Sequence, residues 1–208
     1  MKTVILVRHG CTDAVDQKII QGRTDSPLNE NGLRQIGETA EYLKNIPARH
    51  LYSSPLKRCL QTAQAISTNI HLKPIPLVGL IEKDFGLLEG RPYEESINLM
   101  TFPIARFIIR CYRFFIRLIS VESTSNFNFR VMANWQQILD ENHNEISIVV
   151  GHSFVFSCIF VNYFGRDFPK GMSYYYIHPC SISEIEINDA GQARLVRMDD
   201  VSHLSEYR

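Results

Sequence analysis

The chain has no excess of charge of either sign. Across 208 residues, Lys+Arg and Asp+Glu number 22 each, for a formal net charge of +0. Without a global positive field there is no electrostatic footprint for nucleic acid, and there is no acidic surplus to make a solvating tail. Any anion site must therefore be a local cluster. Cysteine is sparse and odd in number, at five, and no two cysteines form a CxxC pair. That pattern argues against a disulfide framework and a zinc ribbon, and fits reduced thiols in a cytoplasmic compartment. Repeats and low-complexity tracts are missing as well. The opening apolar run, Thr3 to Val7, is only five residues long and meets Arg8-His9 at once, so it is read as a strand and not as a signal peptide. What remains is 45% apolar and 21% charged, the profile of one globular domain with a sizeable core.

That first strand is β-branched and ends in Arg8-His9-Gly10. In an open α/β sheet, ligands bind just beyond the carboxyl ends of the strands. Arg8 can grip a phosphate or carboxylate with its planar fork, and His9 can serve as nucleophile, acid, base or ligand. Gly10 is expected to let the backbone turn and a ligand approach closely.

A helix is expected after the Asn29 N-cap, with Leu33, Ile36, Gly37, Ala40 and Leu43 on its buried face. His50 to Ser53 reads as a strand. Ser54-Pro55 reads as an N-cap and first helical residue, followed by a buried stripe of Leu56, Cys59, Leu60, Ala63 and Ile66. Arg58 falls in the first turn of that helix. Pro74 to Val78 is a third strand candidate, followed by a loop with Glu82, Asp84 and Glu89. Phe127 to His143 and Phe154 to Phe164 read as helices, Glu145 to Val150 as a strand ending in Gly151-His152-Ser153, and Ser181 to Met198 as a hairpin. Strands alternate with helices, which predicts a three-layer α/β/α fold with a mainly parallel central sheet.

Residues 102–119 are the unusual stretch. At about 100° per residue, Arg106, Arg110, Arg113 and Arg117 fall within an arc of roughly 60° on an otherwise apolar helix. Four arginines exclude a simple transmembrane span. The expected role is a solvated edge on a buried helix, with contact to a membrane surface or a second subunit as the alternative. The whole chain, 1–208, is expected to be one domain with a helical cap at about 91–130.

Arg8-His9, Arg58, Glu82 and Gly151-His152 all follow predicted strands. Two arginines and two histidines on one rim make a focused positive site, and phosphate is its natural guest. These residues also resemble the histidine phosphatases, the phosphoglycerate mutase-like superfamily. Arg8-His9-Gly10 matches the first signature of that family. Gln21 to Gly32 resembles its second segment, Tyr52 to Arg58 with Gln61-Thr62-Ala63 its third, Leu80 to Gly90 its acid loop, and Val149 to Ser153 its second histidine segment. The resemblance covers most of the chain and implies a phosphoglycerate mutase-like fold. It implies that His9 attacks phosphorus and carries a transient phosphohistidine, while Arg8, Arg58 and His152 hold the phosphoryl oxygens. Glu82 then protonates the leaving oxygen and activates water. Gln21, Gly22 and Ser153 are implied substrate-binding residues. No metal or other cofactor is implied, and the partner is a small-molecule phosphate ester. Cys11 and Val15 depart from the pattern, standing where an acidic residue and a phosphate-holding asparagine are common. Cys11, beside two cationic groups, is expected to have a lowered pKa.

The reaction expected is metal-independent phosphomonoester hydrolysis, with mutase-type phosphoryl transfer or a weak phosphate-binding relative as alternatives. A different chemistry is a serine hydrolase. Gly151-His152-Ser153 follows a strand and opens a helix like a nucleophile elbow, and Asp189 and His203 complete the order of a triad. Val155 stands where that motif needs glycine.

Overall fold

The computed structural model describes residues 1–95, 121–165 and 176–207. The predicted Arg-striped helix at 102–119, and most of the predicted cap, lie outside the described residues. Thr124–Arg130, at the end of that cap range, form the first turns of a core helix.

The described elements run β1 (Lys2–Arg8), α1 (Asp13–Asp16), α2 (Glu30–Leu43), β2 (Ala48–Ser53), α3 (Lys57–Ile70), β3 (Ile75–Pro76), α4 (Thr124–Glu141), β4 (Ile146–Gly151), α5 (Ser153–Phe164), β5 (Ile182–Ile187) and β6 (Ala193–Asp200). Short 3-10 turns cover Val78–Leu80, Gly86–Leu88 and Ser205–Tyr207. The six strands form one sheet in the order β3-β2-β4-β1-β5-β6. The first four in that order are mutually parallel; β5 then pairs antiparallel with β1, and β6 antiparallel with β5. The mainly parallel sheet expected from the alternation of elements is present. Pro74 to Val78 yields only a two-residue edge strand, where proline costs no ladder bond to the interior.

Successive residues of a strand face opposite ways, and β1 shows it cleanly. Val4 and Leu6 pack with Phe127, Val131 and Trp135 of α4 and with Val155, Phe156, Ile159 and Phe160 of α5. Ile5 and Val7 face Ala40 and Leu43 of α2 and Cys59, Ala63 and Ile66 of α3. Helices therefore cover both faces, and a continuous apolar strand such as Val4–Val7 is what two covered faces require.

Two helices are rotated from the expected faces. In α2, Leu33 is 51% exposed and Gly37 is also exposed, whereas Gln35 and Thr39 are buried. Both polar side chains are satisfied. The Gln35 Oε1 accepts from the Cys11 N–H at 2.9 Å, and the Thr39 hydroxyl donates to the Gln35 carbonyl at 2.9 Å. In α3, Leu60 is exposed while Arg58 and Thr62 are buried, because the Thr62 hydroxyl joins the Arg58 carbonyl to the Gly10 N–H. The α3 N-cap is Leu56 and not Ser54, whose hydroxyl meets His152 Nε2 at 2.8 Å and accepts from the Leu56 N–H at 3.4 Å.

The carboxyl ends of β1, β4 and β2 are level. Arg8 pairs with Gly151, and Ser53 pairs with Val150. The next residues continue the pattern, with the His9 N–H donating to the Gly151 carbonyl at 3.0 Å and the Ser54 N–H to the Val150 carbonyl at 2.9 Å. Three neighbouring strands thus deliver His9, His152 and Ser54 to one edge.

Candidate active site

Packing gives one reason for glycine at position 10. A Cβ there would lie 2.9 Å from the Gly32 carbonyl oxygen and 3.0 Å from Ile36 Cγ2. The missing side chain lets α2 press against the end of β1, and the resulting contact locks the peptide that follows His9.

His9 is buried, and its Nδ1 lies 2.8 Å from the Gly10 carbonyl. A carbonyl can only accept, so Nδ1 carries the proton and Nε2 keeps its lone pair. Burial, followed by the charges of Arg58 and Arg8, holds the imidazole well below its ordinary pKa of 6.5. The ring is neutral, and the Nε2 lone pair is left available. His152, also buried and held low by desolvation and the same arginines, places its Nε2 2.8 Å from the Ser54 hydroxyl.

The arginines are anchored from behind. Arg58 is 1% exposed and donates through Nη1 to the Thr24 carbonyl at 2.8 Å and through Nη2 to the Gly22 carbonyl at 2.7 Å. Arg8 Nη1 donates to the Ile177 carbonyl, and its guanidinium lies 5.2 Å from the centre of the Tyr176 ring. The Nε atoms of both are buried with no protein partner. Two buried cations with spare donors are a strong attractor for an anion.

The three acid-loop carboxylates have separate tasks. Glu89 staples the loop at 21–24, accepting from the Arg23 and Thr24 N–H groups at 2.8 and 3.0 Å. Asp84 accepts from the Gly86 N–H at 2.8 Å and faces Arg23. Glu82 alone of the three lines the cavity shared by His9, Arg8 and Arg58, which has a volume of about 370 Å³. Its Oε1 accepts from the Lys83 N–H at 2.8 Å, and its Oε2 from the Phe154 N–H, in the first turn of α5, at 3.3 Å. Burial still outweighs those contacts and raises its pKa above the ordinary 4.5.

The other expected residues divide by role. Gly22 lines the cavity, but it serves through its backbone. It sits at φ +51°, and a Cβ would fall 2.1 Å from Glu89 Oε1. The Gln21 amide reaches the cavity wall and is tied to Thr12 at 3.3 Å and to Ser26. Ser153 lines the cavity and accepts from the Ile177 N–H at 3.2 Å. Val15 forms apolar wall where a donor was expected in the family pattern. Cys11 is a correction. Burial and a 2.9 Å hydrogen bond to Asp16 push its thiol up to about 12, so the nearby cations do not activate it.

The serine hydrolase reading loses its geometry. Asp189 lies exposed in the β5–β6 turn, and His203 packs on Tyr42 and bonds Thr39 of α2. Neither is among the described residues lining the cavity with Ser153.

Sequence reasoning missed the supports: Ser54 behind His152, the Ile177 carbonyl and Tyr176 ring behind Arg8, and the carbonyls of Gly22 and Thr24 behind Arg58. Ser54 lay inside a recognised segment and was visible there. Main-chain acceptors leave no mark in a sequence.

A sheet edge presenting a buried neutral histidine, two anchored arginines and a shielded carboxyl defines a phosphoryl-handling protein. Residues 4–201 match the histidine phosphatase superfamily (branch 1), and the chain belongs to that family of enzymes. It is 31% identical over 207 residues to the uncharacterized phosphatase PhoE of Bacillus subtilis, covering 100% of this chain and 99% of that one. Among solved structures, a phosphoserine phosphatase from Entamoeba histolytica is similar with a TM-score of 0.77 and 25% identity, over 98% of this chain and 100% of that one. A phosphoglycerate mutase from Bacillus anthracis shares the fold at a TM-score of 0.80 and 23% identity, over 98% of this chain and 95% of that one. Among the described residues, no helix is long and apolar enough to cross a membrane.

Proposed function

We propose that this enzyme is a metal-independent phosphomonoester hydrolase that works on a small-molecule phosphate ester through a phosphohistidine on His9. The observation that carries this reading is the His9 tautomer. Its Nδ1 proton is committed to the Gly10 carbonyl, and its free Nε2 shares one cavity with Arg8, Arg58 and Glu82.

In the first step the Nε2 lone pair forms a bond to phosphorus as the bond to the leaving oxygen breaks. Glu82, whose pKa is raised by burial, gives its proton to that oxygen. Arg8, Arg58 and His152 hold the phosphoryl oxygens, and the two guanidinium groups offset the charge that a metal ion supplies in other phosphoryl-transfer sites. In the second step, ionised Glu82 takes a proton from water. The water oxygen bonds to phosphorus, the N–P bond breaks, and inorganic phosphate leaves with His9 restored. The described cysteines, Cys11, Cys59, Cys158 and Cys180, are free thiols, which supports a cytoplasmic setting.

Hydrolysis of p-nitrophenyl phosphate in the presence of EDTA tests the proposal, with His9→Ala alongside. Expected are turnover by the native chain, none by the variant, and an acid-labile phosphate adduct on the peptide containing His9 after rapid quenching. Activity lost to EDTA, or an adduct on another residue, would overturn it. Transfer of the phosphoryl group to a second hydroxyl of the substrate without release of phosphate would identify a mutase instead.

A further inference from the structure

Arg130, on α4, lies behind the acid loop and not in the cavity. Its guanidinium is fully committed. Nη1 donates to the carbonyls of Gly79 at 2.9 Å and Ile81 at 2.5 Å, and Nη2 to that of Glu82 at 2.9 Å. Nε and Nη2 also fork onto Glu122, at 2.6 Å to Oε1 and 2.8 Å to Oε2. An arginine has five N–H donors, and here five contacts use them, so none is spare for a substrate.

Glu122 completes the frame. Its N–H donates to the Asp84 carbonyl at 2.9 Å, and its Oε2 accepts from the Asp84 N–H at 3.3 Å. Burial alone would raise the Glu122 pKa, but the hydrogen bonds and charge of Arg130 hold it below its ordinary value. One face of the guanidinium rests on the Phe127 ring at 4.9 Å. The backbone on both sides of Glu82 is therefore held chiefly by the Arg130–Glu122 pair, with Arg23 adding a longer 3.4 Å contact from Nε to the Glu82 carbonyl and a 3.3 Å ion pair to Glu122 Oε1. Among the described residues, the Glu82 carboxyl accepts hydrogen bonds only from main-chain N–H groups, so its location depends on where that backbone is held.

We infer that Arg130, braced by Glu122, is a positioning residue that sets the reach of the Glu82 carboxyl toward the leaving oxygen. The inference rests on the proposed acid role of Glu82. Bidentate pairing with simultaneous bonds to three carbonyls suits the planar fork of arginine, and lysine cannot reproduce it.

A leaving-group series tests it. p-Nitrophenolate departs with little need of a proton, whereas an alkoxide needs one. We would measure kcat/KM, which reports steps through phosphoryl transfer to His9, for p-nitrophenyl, phenyl and alkyl phosphates. The proteins are the native chain, Glu82→Gln, Arg130→Lys and their double variant. Arg130→Lys is expected to lose at least about tenfold more on the alkyl ester than on p-nitrophenyl phosphate. Glu82→Gln should show the same selectivity, and adding Arg130→Lys to it should cost little further on the alkyl ester. Equal losses across the series for Arg130→Lys, with selectivity kept in Glu82→Gln, would overturn this inference alone. No selectivity in Glu82→Gln would overturn the acid role and the inference with it. Glu122→Gln, which keeps side-chain size and oxygen acceptance, carries the same comparison if Arg130→Lys does not fold.

Discussion

The imidazoles of His9 and His152 meet edge to face, with ring centroids 5.2 Å apart and planes inclined by 63°. Two imidazolium ions at that separation, with two arginines around them, would repel strongly in a buried site. Both rings are therefore neutral, and the tautomer of His9 is assigned by its partner. The Gly10 carbonyl takes the Nδ1 proton of His9, and the Ser54 hydroxyl meets Nε2 of His152. In the proposed reaction the pair divides the work, one ring attacking phosphorus and the other holding its oxygens.

The pH dependence follows from the two shifts. In the proposed mechanism attack needs His9 unprotonated, and its pKa lies well below 6.5, so the acid limb of kcat/KM is displaced downward. Proton donation needs Glu82 protonated, and its pKa lies above 4.5, so the alkaline limb is displaced upward from a free carboxyl. A bell with an acidic to neutral optimum is expected. Its alkaline limb should flatten in Glu82→Gln, measured with an alkyl phosphate.

Stability has its own pH dependence. The unfolded chain protonates His9 and His152 near 6.5, while the folded chain resists until much lower pH. In that window the unfolded state binds more protons, so stability falls as pH falls, by up to about 1.4 kcal/mol per pH unit for each group. Glu82 acts oppositely. Its contribution is present below 4.5 and is lost as pH rises through its raised folded value. Thermal melts of His152→Gln should show a shallower loss of stability below about pH 6.5 than the native chain.

Cys11 should be inert. With its thiol pushed up to about 12 and donating to Asp16, it has almost no thiolate near neutrality. Mild peroxide should leave activity unchanged, and Cys11→Ser should keep it within about twofold. Alkylation followed by mass spectrometry of the native fold checks the same point directly.

Gly22→Ala should damage the site through the backbone. The new methyl would meet Glu89 at 2.1 Å, in a conformation at φ +51° that side chains disfavour. A loss of about 1–3 kcal/mol is expected. Because the Gly22 carbonyl anchors Arg58, inorganic phosphate should also raise the melting temperature of the variant less than that of the native chain.

Much of this architecture was legible from residue order. Strand ends carrying Arg8-His9 and Gly151-His152 announced the rim, because apolar runs that stop at polar groups mark a sheet edge. The helix faces were less legible. Gln35, Arg58 and Thr62 are buried polar groups that hydrogen-bond distant backbone, and a hydrophobic count places them outside. Cys11 misled because its positive neighbours are visible in sequence, while the burial and the Asp16 contact that raise its pKa are tertiary. The packing role of Gly10 was hidden for a similar reason, since the nearest atom that a side chain would meet belongs to Gly32, 22 positions further along the chain.

The level ends of β1, β4 and β2 make this centre a gauge of correct assembly. Slippage of β1 by one residue against β4 would turn Val4 and Leu6 toward α2 and α3 and carry His9 away from His152. A chain that mispairs its strands can still be compact, yet it would have no turnover. Specific activity in a refolded preparation therefore counts the fraction of molecules whose strands have found their proper partners.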